Sequence, residues 1–361
     1  MIRPKQLIEG VVRVTELEPS RFNKIRLDRN ERSLPFSDGF IARVRARVDG
    51  ERIMAYPEPE PVYEKTAVWL GQPRARLLFN SGSDQSIKAV FETYIGEGDK
   101  ILLQRPGYAM YGVYAKMFGA EVVAQDYDAE LNFDFEAYLG CIDGSFRMAV
   151  LENPNGFIGS APSADVLRRF VEKCEAAGVL ALVDEAYYFF HDVTAAPLLE
   201  KNQNLVIVRT FSKALGAAGV RAGYTLSREE NIANLYKVKP MHELNGLAVL
   251  VLEELLSDPR EIDGFVKETW ELLKFMKDGF ARLGIKTSDS VANFLAAGLG
   301  EKVSGAAVSE RLKGEGILLR RPFREERLQK WTRIATGPRP RLERLFETVE
   351  ALIREGKGGR P

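Results

Sequence analysis

The sequence predicts an α/β fold, a mainly parallel sheet flanked by helices with a smaller α+β unit attached. Between Leu77 and Ser227, apolar runs of strand length alternate with amphipathic stretches of helix length. Several of these strands end on chemically distinctive residues, as expected of a parallel sheet with a ligand at its carboxyl ends. Beyond Pro240 the character changes to long charged helices and short strands. The expected division is a large domain over 46–240 and a small domain built from 1–45 and 241–361.

In chain order, LDRNERSLPF (Leu27 to Phe36) reads as a short strand ending at Asn30-Glu31, followed by a Pro-containing loop. Tyr56-Pro57 opens a helix over the residues up to Gly71, with Val62, Ala67, Val68 and Leu70 inward, and Tyr56 itself reads as a packed loop aromatic. The next strand, from Leu77, gives way to Ser81-Gly82-Ser83-Asp84 and a helix with Ile87, Val90, Phe91 and Tyr94 on one face. Such a turn offers free N–H groups and the positive end of a helix dipole to an anion, although Ser83 or Asp84 can also simply cap the helix. A strand at Ile101–Gln104 leads through Pro106-Gly107-Tyr108 to a helix and a strand at Glu121–Ala124. Tyr108 can stack on a flat ring or serve as a core or rim residue.

Phe146 to Ser160 reads as a strand closing on an Asn-, Pro- and Gly-rich turn, followed by a helix over Ser163–Ala177. Asp184 and Glu185 then end a wholly apolar strand. A buried carboxylate is costly unless paired, and its partner can be a protonated pyridine nitrogen or an ordinary Arg or Lys. The run Leu205 to Tyr224 follows, with a strand, then Thr210, Ser212 and Lys213, a Gly/Ala-rich turn and Arg221 before a second short strand at Ala222–Ser227. A lysine placed there can form a Schiff base with pyridoxal phosphate while Ser212 and Arg221 hold the phosphate, or it can be a plain surface lysine. Gly216-Ala-Ala-Gly219 lacks the GxGxxG spacing of a dinucleotide site. Helices over 243–257 and 260–283 come next, then a strand near Ala292–Leu295 and a helix near 305–313. Strands at Gly316–Arg320 and Trp331–Ala335 and a helix over 340–354 close the pattern, and the tail from Gly356 reads as frayed. Arg333 lies inside one of these strands and Arg320 ends the other. A buried arginine needs an anion, either a substrate carboxylate or phosphate or an internal Asp or Glu.

Composition narrows the classes. Apolar residues make up 45% of the 361 positions and charged ones 28%, ordinary values for a globular protein. Lys+Arg and Asp+Glu both count 51, which gives no net field toward nucleic acid or an anionic membrane. Cys141 and Cys174 have no paired spacing and read as reduced residues of a cytoplasmic protein. Two histidines, His191 and His242, make a His-rich metal site a poor expectation. No apolar leader opens the sequence, and its longest apolar run is too short to span a bilayer.

Taken together, these stretches resemble the fold-type I, pyridoxal-phosphate-dependent aminotransferases of class I/II, and most closely the histidinol-phosphate aminotransferase group. The motifs are Thr210-Phe-Ser-Lys213 with Gly219-Val-Arg-Ala-Gly-Tyr224, Asp184-Glu-Ala-Tyr187, Ser81-Gly-Ser-Asp-Gln85, Pro106-Gly-Tyr108, Ala55-Tyr-Pro57, Ala292-Asn-Phe294 and Thr332-Arg-Ile334. The resemblance implies that Lys213 carries the cofactor and shuttles a proton, Asp184 pairs with the pyridine nitrogen, Tyr187 donates to the phenolic oxygen and Tyr108 stacks on the ring. It further implies that Ser83, Asp84, Ser212 and Arg221 bind the phosphate with Thr210 beside them, and that Tyr56 reaches across the interface of a homodimer. Arg333, Arg320 and Asn30 are then the substrate side, serving a small-molecule amino donor and keto acceptor. Two departures stand out. The family's Asn-Pro-Thr-Gly is Gly156-Phe-Ile-Gly159 here, leaving Asn155 as the nearest amide for the phenolic oxygen, and its Asn-Glu-Asn-Pro is Asn30-Glu-Arg-Ser33. The implied activity is amino transfer between L-glutamate or 2-oxoglutarate and a small phosphorylated or anionic partner. A decarboxylase resembling the threonine-phosphate enzymes, or a non-catalytic binding protein on the same scaffold, are the alternatives.

Overall fold

A computed structural model describes residues 2–12 and 20–358, so residues 359–361 of the expected frayed tail lie outside the described residues. Eleven strands occur among the described residues: β1 (Ile25–Leu27), β2 (Leu77–Asn80), β3 (Lys100–Arg105), β4 (Glu121–Asp126), β5 (Phe146–Glu152), β6 (Leu180–Asp184), β7 (Leu205–Thr210), β8 (Gly223–Ser227), β9 (Phe294–Ala297), β10 (Ile317–Leu319) and β11 (Thr332–Ala335). Seven form one sheet in the order β2-β8-β7-β6-β5-β3-β4. All neighbours pair parallel except β8, which runs antiparallel to both β7 and β2. The expected α/β class with a mainly parallel sheet is therefore what the chain forms.

The strands read as continuous apolar runs because helices cover both sheet faces. Alternate residues divide between two cores. Ala149, Leu151, Ala181, Val183, Leu205 and Ile207 face one, where helix Ala164–Ala177 buries Leu167, Phe170, Val171 and Cys174. Met148, Val150, Leu180, Leu182, Val206 and Val208 face the other, against helices Ser83–Tyr94 and Met110–Phe118. The same period of two puts Glu152, Asp184 and Thr210 on that second face, at the carboxyl ends of three adjacent strands.

β1 and β10 form a small parallel sheet and β9 and β11 a small antiparallel one. Both pack with helix Arg339–Gly358 around Met276, Phe280, Ile334 and Leu342. The 23-residue helix Arg260–Arg282 joins this core to the first one, burying Ile262 and Phe265 on the sheet side and Leu272 to Phe280 on the other. Phe40 and Val44 of helix Asp38–Ala46 and Ala248 to Leu255 of helix Gly246–Ser257 pack with the large sheet as well. We therefore propose that the border between the units runs through helix Arg260–Arg282 rather than near residue 240.

Two local expectations are corrected. Val68 is 84% exposed, because helix Glu60–Leu70 buries Val62, Tyr63, Thr66 and Ala67 and turns residue 68 outward. β1 ends at Leu27, three residues short of Asn30, whose backbone turns to a φ of 57°. Among the described residues no helix is long and apolar enough to cross a membrane.

Candidate active site

The parallel strands β2, β3, β5, β6 and β7 release their following loops at one end of the sheet. The reversed β8 brings its beginning to that same end, pairing Gly223 with both Thr210 and Asn80. Arg221, two residues before β8, thereby meets the turn after β2. Its Nη2 lies only 2.7 Å from where a Cβ on Gly82 would stand, and Gly82 has a φ of 87°. A glycine is required there on both counts. Arg221 itself sits at a φ of 60°, a conformation rare for a residue with a side chain. Its guanidinium donates to Ser212 Oγ at 3.5 Å and to the Ala218 carbonyl at 3.2 Å. No side chain caps the helix that starts at Ser83. Its first N–H groups, which have no acceptor inside the helix, and Arg221 form one anion cradle.

Lys213 follows β7 by three residues. Its Nζ donates to the carbonyls of Arg29 (3.0 Å) and Asn30 (3.4 Å). Loss of water, with Arg333 and Arg221 nearby, pushes the amine down to about 7, against the opposing pull of Glu31 and Asp184. A substantial neutral fraction at physiological pH makes this amine a nucleophile.

Asp184 ends β6 with its side chain buried. One oxygen accepts from Tyr111 Oη (2.8 Å) and the other from the Ala186 N–H (3.0 Å). Burial raises it to about 6, and the two hydrogen bonds hold it back. Among the described residues no Arg or Lys pairs with Asp184, whereas its neighbour Glu185 takes Arg209 at 2.8 Å together with Thr194 and the Ala195 N–H. The two carboxylates thus separate. Glu185 has an internal cation, and Asp184 keeps its charge available for a ligand.

Tyr187 Oη accepts from Asn30 Nδ2 at 2.8 Å, and the Asn30 carbonyl also takes Asn293 Nδ2 at 3.1 Å. Asn30 Oδ1 is buried without a partner, a polar atom in want of a donor. Tyr108 is 38% exposed, reaches Asp84 Oδ1 at 3.3 Å and stands edge-on to Tyr111. Thr210 Oγ1 donates to the Ala222 carbonyl and accepts from the Ser212 N–H, which ties β7 to the start of β8. Asn155 is committed to its own turn, donating to the Pro106 carbonyl while its oxygen accepts from Phe157 and Ile158. Arg333 donates to the Gly156 carbonyl at 2.7 Å and to the Asp28 carbonyl at 3.3 Å. Its guanidinium and that of Arg320 each lie 5.1 Å from the centre of the Phe157 ring. Tyr56 is bonded to none of these residues, being 77% exposed and stacked on His242.

Two residues of the cluster were not anticipated from sequence. Tyr111 lies three positions after Tyr108, on the helix face that meets Asp184. Glu152 is a charged end to an apolar strand, the same signal that singled out Asp184. Its carboxyl is buried and accepts from the N–H groups of Tyr108 (2.6 Å) and Gly156 (2.7 Å).

A flat pyridine aldehyde with a phosphate arm fits this set. There is an amine to carry the aldehyde carbon, an unpaired buried carboxylate for the ring nitrogen, an exposed aromatic edge at Tyr108 and a phosphate cradle at one side. The family described as "Aminotransferase class I and II" matches residues 23–349. A histidinol-phosphate aminotransferase of Symbiobacterium thermophilum is 30% identical over 336 residues, 92% of this chain and 91% of that one. The crystal structure of histidinol-phosphate aminotransferase from Sinorhizobium meliloti in complex with pyridoxal-5'-phosphate superposes with a TM-score of 0.86, at 23% identity over 98% of both chains. That of L-threonine-O-3-phosphate decarboxylase from Porphyromonas gingivalis gives 0.78, at 18% identity over 91% of this chain and 99% of that one.

Proposed function

The chain belongs to the class I and II aminotransferases, enzymes that depend on pyridoxal phosphate, and we propose that it moves an amino group between L-glutamate or 2-oxoglutarate and a small phosphorylated or otherwise anionic partner of the histidinol-phosphate type. When bound, the cofactor's protonated ring accepts the electron pair left at the substrate's α-carbon. Every other task falls to the chain. Lys213 would carry the cofactor, and its amine would move the proton at the substrate's α-carbon. Asp184 faces the ring nitrogen and keeps its proton in place, oriented by Tyr111. Tyr187 donates to the phenolic oxygen, and Tyr108 covers the ring. The first N–H groups after Gly82, at Ser83 and Asp84, hold the phosphate with Ser212 and Arg221, while Thr210 fixes Ser212. Arg333 receives the substrate carboxylate, with Arg320 and Asn30 completing that side.

The observation that carries this reading is the pairing of a half-buried amine at Lys213, pushed down to about 7, with a buried carboxylate at Asp184 that has no internal cation among the described residues. The exposure of Tyr56 beside exposed Ile53, Met54 and Met241 supports a homodimer in which Tyr56 completes the partner's phosphate site. The test is the absorbance of purified protein loaded with pyridoxal phosphate, before and after L-histidinol phosphate or L-glutamate. Loss of the bound-cofactor band with both amines, and its return with 2-oxoglutarate, is expected. Loss with glutamate alone would keep the amino transfer and overturn the histidinol-phosphate part. Carbon dioxide release from a phosphorylated amino acid would replace transfer by decarboxylation.

A further inference from the structure

Glu152 and Glu185 are buried carboxyls at this end of the sheet that the roles above leave unused, and Glu185 is already taken by Arg209. Glu152 pairs with Asp184 in the strand register and points to the same sheet face. Among the described residues it has no ion-pair partner; only the N–H groups of Tyr108 and Gly156 bind it. Its position depends on two glycines. A Cβ on Gly107 would stand 2.3 Å from Glu152 Oε1, and one on Gly156 would stand 3.2 Å from Oε2 and 3.6 Å from the Tyr187 ring. The carboxyl therefore fills the space that a side chain at position 156 would take, beside Tyr187.

The connectivity of the ring says what faces that space. In pyridoxal phosphate the aldehyde carbon lies opposite the ring nitrogen, with the phosphate arm on one flank of that axis and the phenolic oxygen on the other. With the axis running from Asp184 on β6 to Lys213 after β7, the phosphate cradle lies toward β8 and β2. The oxygen then faces the β5 side, where Glu152 and Tyr187 stand.

We propose that Glu152, as a neutral carboxylic acid, donates a hydrogen bond to the phenolic oxygen of the cofactor and takes the place of the amide that Gly156 cannot supply. This rests on the cofactor placement proposed above. Burial and the neighbouring Asp184 charge raise Glu152 to about 8, against the pull of the two N–H groups and Arg333, so the acid form prevails at neutral pH. The hydroxyls of Tyr111, Tyr127, Tyr138 and Tyr187, raised first by burial, feel the Glu152 charge, which pushes each of them further up. A donor at the phenolic oxygen stabilises its negative charge and so lowers the pH at which the Lys213–cofactor linkage loses its proton.

The test is a pH titration of the bound-cofactor absorbance band in four proteins. Glu152→Gln keeps a neutral donor and should leave the midpoint within a few tenths of a unit of wild type. Glu152→Ala should raise it by about one unit, the scale of one lost charge-directed hydrogen bond. Gly156→Asn in the Glu152→Ala background should restore it, because the alanine vacates the space the asparagine needs. Equal midpoints in wild type and Glu152→Ala, or a Glu152→Gln shift as large as that of alanine, would overturn the proposal. Should Glu152→Ala not fold, Glu152→Leu, which keeps the volume and removes the donor, takes its place with the same expected rise and the same overturning result. Absence of any bound-cofactor band in the wild type would instead overturn the placement on which the proposal rests.

Discussion

The strand-end wall of the site and the wall opposite it are held in place by different physics. Asp184, Thr210, Lys213 and Arg221 lie on, or within three residues of, β6, β7 and β8, strands buried on both faces and locked in register to their neighbours. Shifting any of them means shifting a strand. The opposite wall is loop. Asn30, Gly156 and Phe157 lie outside any strand and are held by side-chain hydrogen bonds, with Asn293, Lys213, Tyr187, Arg333, Glu152 and Asn155, and by ring contacts with Arg320 and Arg333. A rigid sheet fixes the chemistry common to the family, whereas loops can change which amine is received.

This contrast predicts a graded set of losses. Lys213→Ala should abolish turnover, by about 10⁴-fold or more, because it removes both the attachment point and the proton carrier. Adjacent carboxylates should then divide. Asp184→Asn should cost about 10³-fold in kcat with little change in Tm. Glu185→Ala should cost about 3–5 kcal/mol of stability by stranding Arg209, while the cofactor band of the folded fraction stays put. Equal effects on Tm from the two would erase the distinction. Arg333 reaches the loop wall from β11, and Arg333→Gln should act mainly on KM for the carboxylate-bearing substrate, by about 10²-fold, the scale of a lost charged hydrogen-bond pair. A loss confined to kcat would place Arg333 with the chemistry instead.

The smallest effect is one of pH. Because Lys213 falls from 10.5 to about 7 on folding, the cofactor-free folded protein releases this proton between those values while the unfolded chain keeps it. The unfolded state binds more protons in that window, so this group's contribution makes the folded state more stable as pH rises through it. The amine should also become reactive near pH 7. Pulse labelling with an amine-directed reagent, followed by mass spectrometry, should find Lys213 half-modified about three pH units below exposed lysines.

The same contrast explains what could be read in advance. β6 and β7 are apolar runs closed by charged or hydroxyl residues, and burial on both faces writes that pattern directly into the sequence. Asp184 and Lys213 were legible for that reason. The approach of Arg221 to Gly82 was not, because it depends on β8 running against its neighbours between β7 and β2, and strand order leaves no local trace. Tyr111 was hidden by its similarity to Tyr108, since only the helix rotation decides which tyrosine points at Asp184. Glu152 obeyed the rule that identified Asp184, but its meaning depends on the empty side chains of Gly107 and Gly156. Helix Arg260–Arg282 concealed the border between the cores because its apolar face continues from one to the other.

The central claim is that Lys213 carries the cofactor on a wall fixed by the sheet. Loading the purified protein with pyridoxal phosphate, reducing it with borohydride and mapping the peptides tests this most directly. One stoichiometric phosphopyridoxyl group is expected, on Lys213. Its appearance on another lysine, or in scattered substoichiometric amounts, would contradict it.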